Sequence, residues 1–131
     1  VLYSGSDDKT VRAVEAATGQ ERWCFEGHTS WVTALAVGEG LVYSGSDDKT
    51  VRAVEAATGQ ERWCFEGHTS RVRALAVGEG VVYSGSFDKT VRAVEAATGQ
   101  ERWCFEGHTG RVTALAVGRG VLYSGSDDKT V

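Results

Sequence analysis

Residues 41–80 read LVYSGSDDKTVRAVEAATGQERWCFEGHTSRVRALAVGEG, and this stretch decides the fold because the chain contains little else. Residues 1–40 differ from it only at positions 1, 2, 31 and 33, so 36 of 40 are identical, and residues 81–120 differ at five, so 35 agree. Residues 121–131 (VLYSGSDDKTV) repeat residues 1–11 letter for letter. A period of 40 marks a tandem array of supersecondary units, none of which can bury its apolar face alone. The chain is therefore read as a single array over 1–131, made of 1–40, 41–80, 81–120 and the partial unit 121–131.

Within one unit the apolar residues fall into four short runs at strand spacing, separated by turn chemistry. Val32–Val37, Leu41–Ser46, Thr50–Glu55 and Glu61–Phe65 are predicted strands. The gaps hold Gly38-Glu39-Gly40, Asp47-Asp48-Lys49, Ala57-Thr58-Gly59 and Gly67-His68-Thr69, and Gly and Asp tolerate the left-handed or hydrogen-bonded conformations of turns. A helix over EAATGQERW is the competing reading. Gly19, Gly59 and Gly99 interrupt it, and the segment is shorter than an isolated stable helix. The expected fold is all-β, with four antiparallel strands per unit and about three units per chain.

The order Gly27-His28, an apolar strand, Ser44-Gly45-Ser46-Asp47-Asp48-Lys49-Thr50-Val51-Arg52, then Ala57-Thr58-Gly59 resembles the repeat of the WD-repeat (WD40) β-propeller family, along the whole chain. One departure is systematic. Where that family has Trp-Asp after the third strand, this chain has Val14-Glu15, Val54-Glu55 and Val94-Glu95, while a Trp stands on the fourth strand at Trp23, Trp63 and Trp103. The resemblance implies propeller blades and a buried hydrogen-bonded set in each: His28 with Ser44 or Ser46 and Asp48, His68 with Ser84 or Ser86 and Asp88, His108 with Ser124 or Ser126 and Asp128. With Val in place of the family's Trp, water or altered packing has to satisfy the Ser hydroxyl.

The array is out of phase: it starts on a second strand and ends on a first strand plus another second strand. Propellers close with about four to eight blades, so three blades leave apolar flanks and open sheet edges. Homo-oligomerisation is the expected remedy, with six blades in a dimer or nine in a trimer, because identical repeats make every flank complementary to every other. The alternative is closure by further repeats of a longer array. The duplicated 121–131 segment complicates simple closure, since a composite blade needs one second strand.

Copies this similar make their exceptions informative. Trp31, Arg71 and Arg111 occupy one position, Thr33, Arg73 and Thr113 another, and Asp7, Asp47, Phe87 and Asp127 a third. The resemblance places all three positions on one rim of the disc, facing partners, and Trp, Arg and Phe are frequent interface anchors. Trp31, Thr33, Arg71, Arg73, Phe87, Arg111 and Thr113 are thus candidate protein-binding residues. Ser30, Ser70 and Gly110 vary beside them, and Glu39, Glu79 and Arg119 are expected on the opposite rim. Drift among recently duplicated repeats, or the choices of an engineered array, is the alternative explanation of the same differences.

Fourteen basic and 18 acidic side chains give a formal charge of -4, which argues against nucleic acid or anionic lipid as partner. No apolar run reaches the length of a bilayer span. The sequence contains no Pro, Met, Asn or Ile and no basic-then-apolar leader, and the missing initiator Met points to a trimmed chain. His, Ser and Asp in every unit contain the ingredients of acyl transfer, but recurrence at the repeat period points to a structural network, so no enzyme activity is expected. Cys24, Cys64 and Cys104, 40 residues apart, are expected as free packed thiols, which favours an intracellular compartment. The Asp7-Asp8 pair lacks the alternating ligands of a calcium loop, and neither zinc spacing nor a phosphate-cradling loop is present. The expectation is a protein-binding scaffold needing no cofactor or metal; the alternative is a purely structural self-assembling repeat.

Overall fold

The computed structural model describes residues 2–38, 40–118 and 120–126. Glu39, Arg119, Asp127, Asp128 and the end of the partial unit lie outside the described residues. Among the described residues thirteen strands are formed and no helix. β1 (Leu2–Gly5), β2 (Val11–Val14) and β3 (Glu21–Phe25) make a three-stranded sheet. β4 (Val32–Gly38), β5 (Leu41–Ser46), β6 (Val51–Glu55) and β7 (Glu61–Phe65) make a four-stranded one, and β8 (Val72–Gly78), β9 (Val81–Ser86), β10 (Val91–Glu95) and β11 (Glu101–Phe105) another. β12 (Val112–Gly118) and β13 (Val121–Ser126) form a final hairpin. All neighbouring strands are antiparallel and consecutive, so each sheet is a meander. This is the all-β architecture of propeller blades, three blades' worth of strands and one more, beginning on a second strand.

The turns follow from their residues. Between β5 and β6, Lys49 takes a left-handed φ of 75°, its N–H donates to Ser46 O at 3.1 Å, and Asp48 N donates to Ser46 Oγ at 3.0 Å. Thr50 belongs to this turn rather than to β6, because its own N–H donates to Asp48 Oδ1 at 3.0 Å instead of to the sheet. The segment expected as an alternative helix, residues 15–23, is a turn leading into β3, with Gly19 at a φ of 75°. Gly38 extends β4 one residue beyond the expected strand because it still pairs with Leu41 across the hairpin.

The apolar cores lie between sheets. One joins Val11, Ala13, Trp23 and Phe25 to Val32, Val42 and Val54 of the next sheet. The other joins Tyr43, Val51, Trp63 and Phe65 to Val72, Val82, Val94 and Ala96. Every residue of β5 is buried, since this strand is covered on both faces. Close approach at these boundaries requires glycine at position 45: a Cβ there would stand 2.7 Å from Val72 Cγ1.

Candidate functional site

Each complete blade holds one buried polar set. His28 Nδ1 lies 2.9 Å from Asp48 Oδ2 and its Nε2 lies 2.7 Å from Ser44 Oγ. In the next blade the distances are 2.8 Å for His68 to Asp88 and 2.7 Å for His68 to Ser84. The structure thus selects Ser44 and Ser84, while Ser46 and Ser86 serve their turns and donate to Ser30 O and Ser70 O. Thr50 and Thr90, which the sequence reading overlooks, donate through Oγ1 to the same carboxylates at 2.5 Å. The signal for them is the Asp-x-Thr spacing, in which a short hydroxyl can reach the carboxylate two residues back. His108 Nε2 lies 2.7 Å from Ser124 Oγ, and Asp128 is outside the described residues.

Two effects act on each carboxyl group. Burial alone raises the pKa of Asp48 and Asp88. Hydrogen bonds from the His ring, the Thr hydroxyl and a backbone N–H outweigh it and hold both well below the usual carboxylate range. The Asp-His-Ser order is also that of a nucleophile with its base, yet Ser44 and Ser84 have 0% exposure and no substrate atom can reach either hydroxyl.

The fourth-strand tryptophans stitch adjacent blades together. Trp23 Nε1 donates to Ala56 O at 2.9 Å and Trp63 Nε1 to Ala96 O at 2.8 Å. Each ring lies over the glycine of the next blade's turn, where a Cβ on Gly59 or Gly99 would stand 2.6 Å from the indole. Trp here supplies bulk between blades from a different strand than the one that carries it in WD repeats.

Six residues at positions that differ between repeats, Trp31, Asp47, Arg71, Arg73, Phe87 and Arg111, are linked into one strip. Asp47 N donates to Trp31 O and Phe87 N to Arg71 O, both at 2.9 Å. Arg71 Nε stands 3.9 Å from Asp47 Oδ2. The Arg73 and Arg111 guanidinium groups lie 5.0 and 4.7 Å from the Phe87 ring centre, within cation–π range. Trp31 is 50% exposed. Asp47 Oδ1 is buried with no hydrogen-bond partner among the described residues. Thr33 turns inward, donating to Val72 O at 2.5 Å, whereas Thr113 is exposed.

Cys24, Cys64 and Cys104 are free thiols on the outermost strands. Burial pushes the Cys64 thiol up to about 11, and the other two are also raised, chiefly by burial. At pH 8 a thiol of that pKa holds roughly 0.1% thiolate against roughly 25% for an ordinary cysteine, so native Cys64 is expected to be alkylated about 250-fold more slowly than in guanidinium. Iodoacetamide labelling with tryptic mass mapping checks this, because the three Cys-containing peptides differ in sequence. Among the described residues, no group of three or more His, Cys, Asp or Glu could hold a metal ion.

A family model described as outer membrane protein assembly factor BamB matches residues 3–131. The computationally designed Ika4 protein is similar with a TM-score of 0.92 and 38% sequence identity, over 98% of this chain and 80% of that one. The designed Ika8 protein gives 0.91 and 38% over 98% of this chain and 40% of that one. The RRP9 WD40 repeats give 0.89 and 25% over 95% of this chain and 41% of that one. The chain thus spans most of Ika4 and about two fifths of the other two. Among curated proteins, none matches.

Proposed function

The chain belongs to the propeller-repeat family represented by the BamB model, its blades resemble those of WD40 propellers, and on that premise we propose that it is a non-enzymatic scaffold that closes into a ring with further copies of itself and binds a protein segment on one rim. The observation that carries the reading is the strip from Trp31 through Asp47, Arg71 and Phe87 to Arg73 and Arg111. Residues that differ among otherwise identical repeats are joined there by backbone bonds, an ion pair and two cation–π contacts. Three arginines and two aromatic rings on a protein of charge -4 suit a segment carrying carboxylates and a ring. Two such chains would bring six blades to a ring and three would bring nine; closure by further repeats of a longer array is the alternative. The serines of the buried polar sets are sealed and recur with the repeat, which is the arrangement of a structural network rather than of one active centre.

The test uses substitutions already tolerated at sister positions. Arg73→Thr and Phe87→Asp install the residues found at 33 and 47, so folding is expected to survive. A Glu- and Tyr-containing peptide titrated against the fluorescence of the exposed Trp31 is expected to bind the wild type at least about tenfold more tightly than the double variant, a difference of about 1.4 kcal/mol. Equal affinity, or no binding to either, removes the rim reading and leaves a purely structural self-assembling repeat.

A further inference from the structure

The two end flanks of the array are complementary halves of a boundary that occurs twice inside it. On the trailing flank Trp103 and Phe105 are 44% and 47% exposed, although Trp63 and Phe65 are 9% and 8%. A cavity of about 610 Å³ opens there, lined by Val91, Trp103, Phe105, His108 and Tyr123. On the leading flank Val14 is half-buried, although Val54 and Val94 are fully buried, and Ala16 is exposed. Gly19 has nothing within 4 Å of its Cβ position, although Gly59 and Gly99 each hold an indole there. Ala16 and Gly19 on the leading flank are the repeat equivalents of Ala56 and Gly59, which receive Trp23, and of Ala96 and Gly99, which receive Trp63, so the leading flank presents the acceptor and notch that the trailing Trp103 matches.

We propose that the cavity is filled by the β2–β3 hairpin, Val11–Phe25, of a second copy. Trp103 Nε1 donates to the carbonyl of that copy's Ala16, and the indole lies over its Gly19. This rests on the self-association proposed above and assigns its seam. The contact is head to tail, the kind that makes rings when its rotation closes. It has room for one second strand, yet β1 (Leu2–Gly5) repeats residues Leu122–Gly125 of β13. β13 already pairs with β12 and supplies Ser124 to His108. Joining two chains therefore frees one of the two duplicate strands.

The experiment compares the full chain with Gly19→Ala, Trp103→Phe and Gly40→Ala by light scattering across a dilution series, with circular dichroism to confirm folding. Gly40 is the control, since it shares the left-handed φ of Gly19 and also has open space at its Cβ position, but lies away from the seam. The wild type and Gly40→Ala are expected at the mass of two or three chains. Gly19→Ala and Trp103→Phe are expected to dissociate at about tenfold higher concentration. Should all four associate alike, the seam is wrong while self-association stands. A wild type that remains a single chain at every concentration overturns both.

Discussion

Replacing Trp63 with alanine is expected to lower the unfolding free energy by about 4 kcal/mol, read from guanidinium denaturation. The indole is buried, donates to Ala96 O at 2.8 Å and covers Gly99 of the next blade. Its centroid is 6.0 Å from that of Tyr43, a tilted aromatic pair. Truncation opens a large void and orphans a carbonyl in one step, and no neighbour can fill the gap, because the next blade is held by its own ladder. Trp63→Phe keeps a ring in place and loses the hydrogen bond and part of the packing, so a smaller cost of about 2 kcal/mol is expected. A loss below about 1 kcal/mol for Trp63→Ala would show that the blade boundary is not where the fold draws its stability.

Asp88→Ala is expected to cost about 3 kcal/mol, because the carboxylate accepts from His68 Nδ1, Thr69 N, Thr90 N and Thr90 Oγ1, and its removal leaves several buried donors unmet. The loss should depend on pH in a definite sense. Asp88 in the folded chain has a pKa below its unfolded value near 3.8, so the folded state prefers the ionised form. Its contribution is fully present above that value and disappears as pH falls further toward the folded pKa. Asp48 acts in the same direction. Wild-type stability is therefore expected to drop below about pH 4, and Asp88→Ala should flatten that drop, as measured by denaturation between pH 2 and 7. An unchanged slope in the variant would show that Asp88 is not a source of the acid sensitivity.

The strands are legible from the sequence because their punctuation is chemical. Asp47-Asp48-Lys49 and Ala57-Thr58-Gly59 can only be turns, and what remains between them is apolar at strand spacing. The choice between Ser44 and Ser46 is not legible. The two lie on one face of β5, and only the register decides: Ser46 is drawn into the turn by Asp48 N, which leaves Ser44 to the histidine. Nor does any periodicity say that Trp23 reaches forward 33 residues to Ala56. That partner emerges only when two sheets are stacked. The candidate binding residues are legible as a set of exceptional positions, but they differ in disposition, with Thr33 tied to Val72 O and Thr113 left exposed.

Placing the cores between sheets has a consequence for the history of such chains. No blade owns its hydrophobic interior, so stability behaves as a sum of nearest-neighbour terms along a line. Unfolding should fray inward from the ends, and inserting or excising a whole unit changes how many junctions exist without inventing a new kind. Slippage between near-identical units at the level of the gene would therefore lengthen or shorten the array and preserve the kind of every surviving joint.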